Sequence, residues 1–172
     1  MSIKDAIVPV HLNMLGMLDG LLGKAEADGR GNALLQARLA EDMHPLSTQI
    51  RFLCNMPGEA MARLIGIDFA SDETDPATLA EARERIAATK ASIDSWSSQE
   101  FVADGAAIEL AIPNGMTFDL TAEEYVRDWA VAQYYFHATT AYAILRNAGF
   151  AIGKADFVPY MFKYLRQPAS AK

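Results

Sequence analysis

Apolar residues recur along this chain at alternating steps of three and four, the spacing that lines one face of a helix. Ile7, His11, Met14, Leu18, Leu21 and Ala25 share such a face and predict a helix over residues 3–27. Pro9 lies close enough to its start to be tolerated in or near the first turn. Asp28, Gly29, Arg30, Gly31 and Asn32 stop that helix and turn the chain. A short helical piece is expected over 34–40. Asp42-Met43-His44-Pro45 then breaks and restarts the chain, with Pro45 suited to a first helical turn and Asp42 or His44 at the boundary. Leu46, Ile50, Leu53, Met61, Leu64 and Ile65 mark a second helix to about Gly66, with a kink or break expected at Pro57. The acidic stretch DFASDETDP, residues 68–76, reads as a loop. A third helix over 78–96 turns Leu79, Ala82, Ile86, Thr89 and Ile93 inward and pairs Glu81 with Arg85 on its outer side.

One segment changes period. Ile108, Leu110 and Ile112 alternate, and so do Met116, Phe118 and Leu120. A two-residue Asn-Gly loop would put these two sets on opposite faces. A three-residue loop, Pro113-Asn114-Gly115, pairs Ile112 with Met116 and keeps both sets together. The hairpin is expected to lid a larger core, since an isolated hairpin is marginal in water. Thr121 and Glu124 then form a capping box, with Leu120 and Tyr125 placed as a hydrophobic staple. The longest helix follows, to Asn147, with Val126, Ala130, Gln133, His137, Thr140 and Ile144 on one stripe, widened by Trp129, Phe136 and Ala143. A short final helix over 155–165 and a frayed tail over 167–172 complete the chain. Four principal helices, one hairpin and no βαβ alternation predict an all-α fold: a four-helix bundle with a small β-hairpin before its last long helix.

The 172 residues suit a single domain, and the 51% apolar content suits a substantial core. Fifteen basic against 22 acidic residues give a net charge of −7. That balance argues against nucleic acid and against attachment to an anionic membrane, both of which rest on clustered Lys and Arg. The apolar runs fall short of a bilayer span, and the N-terminus, with Asp5 and Asp19, does not read as a signal peptide. The one cysteine, Cys54, allows no internal disulfide and fits a reducing compartment, so a cytoplasmic location is expected. No nucleophile-elbow, phosphate-loop or paired-cysteine motif is present.

Two stretches carry a resemblance: ARLAEDMHPLSTQ (37–49) and YFHATTAYAILRNAGFAIGKADF (135–157). Together they resemble the bacterial domain of unknown function family 1993, grouped with the DinB/YfiT-like metalloenzyme superfamily. The resemblance implies an up-down-down-up four-helix bundle, often a homodimer. It also implies a possible divalent metal, zinc or nickel, held by three histidines and in some relatives used to activate a low-molecular-weight thiol for transfer or isomerisation. The superfamily signature has one histidine on helix 2 and an H-x-x-x-H pair on the last helix. Here His137 has Gln133 four residues before it and Ala141 four after, so the pair is missing, and either His44 or Gln49 matches the helix-2 position.

The chain has three histidines, and a three-histidine site needs them all. At 1.5 Å per residue, His11 lies roughly 24 Å from the end of its helix. The implied topology puts His44 and His137 on the same half of the bundle and leaves His11 the odd one out. His137 reads either as a ligand or general base, or as a core histidine bonded to a tyrosine or a carbonyl. His44 reads as a ligand or as a helix-entrance residue. Asp42 is a helix cap or a ligand. Gln49, Gln133, Tyr135, Tyr142 and Arg146 could line a polar pocket for a small-molecule ligand or could bond within the core. Two functions stay open: a metalloenzyme using His44 and His137, or a non-catalytic bundle with a degenerate metal site that binds a small ligand or acts as a dimeric module.

Overall fold

The structure is a computed structural model describing residues 1–166; the expected frayed tail lies outside the described residues. Helix α1 spans Ile3–Asp28, and its predicted face is buried throughout. Ser2 caps it: the hydroxyl accepts from the Asp5 amide at 3.1 Å and donates to the Asp5 carboxylate at 2.7 Å. Pro9 sits beyond the first turn, on an exposed side of the helix where water can reach the carbonyl it leaves unbonded. The expected piece at 34–40 is instead a 3-10 turn over Gly31–Gln36. Helix α2 spans Leu46–Ile65 and α3 spans Leu79–Trp96, capped by Thr78. Pro45 is the N-cap residue of α2 rather than part of its first turn, and no side chain caps that end, so Asp42 is not its cap.

Pro57 does not break α2. Having no N–H, it leaves the carbonyl four residues back, that of Leu53, without a helical partner. The fully buried Tyr134 supplies one, its hydroxyl donating to the Leu53 carbonyl oxygen at 3.0 Å. The next residue, Gly58, has a bare surface on which the ring of Phe69 rests; a Cβ there would lie 2.1 Å from Phe69 Cε2.

The hairpin consists of β1, Ala107–Ala111, and β2, Thr117–Thr121, with Ile108 facing Leu120 and Leu110 facing Phe118. The three-residue loop forms as expected. The Ile112 amide bonds the Met116 carbonyl at 2.9 Å, and Gly115 takes the left-handed φ of 86° that such a loop requires. The hairpin seals the core mainly through Ile108 and Leu110 of β1, with Leu120 of β2 partly buried against it; Met116 in the loop and Phe118 of β2 remain exposed.

The last long helix runs without break through α4 (Ala122–Glu124), a π-helical turn (Tyr125–Ala130) and α5 (Val131–Asn147). The capping box at Thr121 and Glu124 is present. The π turn shifts the buried stripe. A wider turn inserts one residue into the helical period. Beyond it Tyr134, Ala138, Ala141 and Leu145 are fully buried, one residue on from the expected Gln133, His137, Thr140 and Ile144, of which Ile144 is equally buried. Ile144 and Thr140 stay buried on the flank, while Gln133 and His137 rotate to half-buried positions. The final helix is the short α6, Lys154–Phe157, followed by a 3-10 turn over Pro159–Tyr164.

The helix directions follow from cross-links. The 66–78 segment runs back along α2 from its end to its start. Ser71 bonds Glu59, Asp72 bonds Asn55, Glu73 and Asp75 bond Arg51, and Asp75 also accepts from Thr48 and Ser47. Helix α3 therefore starts beside the start of α2, and the two are parallel. Arg83 of α3 reaches Asp19 and Glu26 of α1, and the α3 N-terminus is bonded by Asn32 just past the end of α1, so α1 and α3 are antiparallel. Tyr134 and His137 of α5 meet Leu53 and Gln49 of α2 in reverse order. The result is an up-down-down-up bundle with the helices in cyclic order α1, α3, α2, α5. The Glu81–Arg85 pair forms, but Arg85 also bonds Asp72 and the Thr74 carbonyl, so it fastens the returning segment to α3.

Two substitutions test this account. Gly58→Ala should destabilise the protein by about 1–3 kcal/mol in urea denaturation, against the roughly 1 kcal/mol that Ala favours over Gly in a helix interior. A stabilised variant would refute the Phe69 contact. Tyr134→Phe should cost about 1–3 kcal/mol by stranding the buried Leu53 carbonyl; an unchanged midpoint would show that another donor satisfies it.

Candidate functional site

The antiparallel α2–α5 contact brings together His44, Gln49 and His137 from the expected set. Gln49, almost fully buried in the first turn of α2, bonds in two directions. Its side-chain nitrogen donates to the His44 carbonyl oxygen at 3.3 Å, and its oxygen lies 2.8 Å from His137 Nδ1. An amide oxygen can only accept, so Nδ1 carries the proton and Nε2 keeps its lone pair. The Phe52 ring sits between the two imidazoles, with centroids 5.3 Å from His44 and 4.9 Å from His137. Phe136 meets His137 edge-on at 5.1 Å.

Burial, and then the neighbouring His44, pushes the His137 pKa down to about 4. At neutral pH His137 is therefore an acceptor or ligand, not a proton carrier. The site as a whole is a neutral imidazole, next to two phenyl rings and oriented by a buried amide, with no hydrogen-bond partner for Nε2 among the described residues. Such a site can accept a hydrogen bond from a small apolar donor.

The other expected residues lie elsewhere. Asp42 is exposed in the turn before α2, and Gln133 is half-buried one turn before His137. Tyr135 lies near Tyr160, and Tyr142 meets Phe157 at 5.5 Å, so both face the C-terminal segment. Arg146 donates to the Phe150 carbonyl at 3.1 Å and secures the chain after α5. Lys154 opens α6, and Asp156 accepts from the Gly153 amide and pairs with Lys24, which anchors that segment. Cys54 is half-buried and its thiol is pushed up to about 11 by burial, the state of an unreactive cysteine.

His11 is close along the bundle to His137 but faces another way. Its ring packs at a tilt of 57° against Tyr134, one turn from His137, with centroids 4.4 Å apart. Only 1% of it is exposed, and its Nδ1 has no partner among the described residues. The expected separation by depth fails because α2 begins only at Leu46, after a long descending linker. What sets His11 apart is direction: it points into the core. Sequence reasoning also missed Phe52 and Tyr134. The spacing of Phe52 from Gln49 was visible, but nothing in sequence tied Tyr134 to a proline on another helix.

The histidines do not fit a three-histidine metal centre. His137 Nδ1 and both ends of Gln49 are already engaged, and His11 faces away. Among the described residues no group of three or more His, Cys, Asp or Glu is gathered where an ion could sit.

The fold is a DinB-type four-helix bundle in which Gln49 of α2 and His137 of α5 form a hydrogen-bonded pair. The chain belongs to the family described as a domain of unknown function (DUF1993), which it matches over residues 3–158. A DinB family member protein from Shewanella denitrificans, known from its crystal structure, is 30% identical. The match covers 98% of this chain and 95% of that one, with a TM-score of 0.72. No curated protein matches the chain.

The buried imidazoles set a pH dependence. In the folded state His11 and His137 have pKa values of about 3 and about 4, against 6.5 unperturbed. Below pH 6.5 the unfolded chain binds protons that the folded chain refuses, so stability is complete above 6.5 and falls as pH drops. The loss from His11 should approach roughly 1.4 kcal/mol per pH unit. His11→Phe, which keeps the ring contact with Tyr134, should flatten the slope of denaturation midpoint against pH between 6.5 and 5. An equal slope in the variant would count against the buried neutral imidazole.

Proposed function

We propose that this chain is a non-catalytic DinB-type bundle that binds a small ligand at the His137 site and works as a homodimer. The observation that carries this reading is the hydrogen bond between His137 Nδ1 and Gln49, 2.8 Å long. It fixes the tautomer and aims the lone pair of Nε2, as a carboxylate or carbonyl does behind a metal-bound histidine. Here no group of three or more His, Cys, Asp or Glu is gathered among the described residues, and phenyl rings adjoin the imidazole. A neutral donor with an apolar body suits this environment better than a hydrated cation. The competing reading, a divalent metal between His44 and His137, draws support from the position of both imidazoles against Phe52.

Elemental analysis separates the two. The experiment uses untagged protein purified without chelator, with and without incubation in zinc or nickel, and repeats it with His137→Ala. The expected result is no stoichiometric metal in either protein, and a stability loss in the variant of about 0.5–3 kcal/mol. Near-stoichiometric metal that disappears with His137 would overturn the proposal and turn the search to thiol-transfer chemistry.

A further inference from the structure

The π turn builds a cleft beside the start of α1. In a regular helix, side chains five residues apart point about 140° away from each other. Here the Val131 amide donates to the Val126 carbonyl oxygen, the longer bond of a π turn, and the two valines come round to one side. They face Ile3 and Ala6 of α1 across a cleft of about 410 Å³. Ile3 and Val126 are buried, Ala6 and Val131 half-buried, so its floor is apolar. Clefts of roughly 300–1,000 Å³ suit small organic molecules, and π turns inside long helices are frequent at functional sites.

The rim of this cleft is charged. Asp104, from the loop before β1, and Glu123, from α4, both line it. The Glu123 amide donates to the Asp104 carbonyl oxygen at 3.0 Å, which holds the two residues side by side. Two cations also stand at the cleft, and each has an acid of its own. Arg127 makes a two-point pair with Asp128, at 2.7 and 2.6 Å. The Asp5 carboxylate is held below its usual range by the Ser2 hydrogen bonds and then by the charge of the Met1 amino group. Asp104 and Glu123 are left without an ion pair among the described residues.

We propose that this cleft binds an organic ammonium ion with an apolar body. The ammonium group sits between the Asp104 and Glu123 carboxylates, and the hydrocarbon lies against Ile3, Ala6, Val126 and Val131. The two halves of the cleft select together. A bare hydrated cation gains nothing from the apolar floor, and an apolar anion meets two carboxylates on a chain whose net charge is already −7. The cleft is separate from the His137 site, since His137 lies six residues beyond Val131 and faces Gln49 of α2.

Titration of the nitrogen-15-labelled full chain with hexylammonium, followed by amide chemical shifts, tests the proposal. Hexanol and hexanoate present the same body without charge and with the opposite charge. Hexylammonium should shift the amides of Ile3, Ala6, Glu123, Val126 and Val131. It should bind at least about threefold tighter than hexanol, the gain expected from two exposed ion pairs, and hexanoate should bind weakest. High salt should shrink the preference. The double variant Asp104→Asn with Glu123→Gln, both at exposed positions, should bind hexylammonium and hexanol equally. Ala6→Phe, which fills the floor, should abolish the shifts, with melting curves to show that each variant is folded. Absence of shifts at tens of millimolar, shifts scattered over the acidic surface, or shifts that survive in a folded Ala6→Phe protein would overturn the cleft as a site. Equal affinity for hexanol in the wild type, or a preference that survives loss of both carboxylates, would overturn the ammonium assignment. Shifts centred on Gln49 and His137 would place the amine at the other site and overturn the proposal.

Discussion

The architecture depends on a polar strap. Residues 66–78 run back along α2 and fasten at four levels, from Ser71 on Glu59 to Asp75 on Arg51, Thr48 and Ser47. Arg51 is the centre of this strap, its side chain only 15% exposed and bonded to both Asp75 and Glu73. Its partners are more open, Glu73 80% and Asp75 35% exposed, so the net worth of these pairs is modest. Because the strap brings the chain back to the start of α2 before α3 begins, α2 and α3 run parallel. Helix α2 then lies between α3 and α5, and its first turn faces the middle of α5. Gln49 meets His137 for that reason.

Two imperfections in the helices are matched across the core. Pro57 strands a carbonyl in α2, and the π turn in α4–α5 shifts the following face by one residue. The second feature delivers Tyr134 to the place where the first needs a donor. It also leaves His137 on the flank toward α2 instead of at the core's centre. His11 packs against Tyr134, and its Nδ1 has no partner among the described residues. The centre of this bundle thus holds two apolar-faced polar rings, one satisfied and one not. Burial holds the unsatisfied one, His11, neutral by lowering its pKa to about 3.

The helices themselves were legible in the sequence because each buries a stripe written at helical spacing. The apolar face of α1, the Thr121–Glu124 capping box and the three-residue hairpin loop all rest on interactions within a few residues of one another. The misreadings also have local causes. Of the kink or break expected at Pro57, the break does not occur, because Tyr134 supplies a partner for the Leu53 carbonyl. The stripe of α5 was displaced by one residue because a π turn has no sequence signature comparable to a proline. The piece at 34–40 became a 3-10 turn ending at Gln36, since Ala37 turns extended and its carbonyl bonds the Leu46 amide.

His137, His44 and Gln49 could be picked out as candidates from the sequence, but their relation could not. Which of His44 and Gln49 would face His137 depended on how far along α2 the contact fell. That distance is set by the strap, the linker before Leu46 and the π turn, none of which is periodic. Tyr142 and Arg146, equally polar and on the same helix, were carried to the C-terminal segment instead. Short-range hydrogen bonds and helical period thus determined where each element begins, ends and turns its face. The tertiary structure decided which polar groups meet, because a buried donor and acceptor 88 residues apart, as in Gln49 and His137, are joined only by the packing of whole helices.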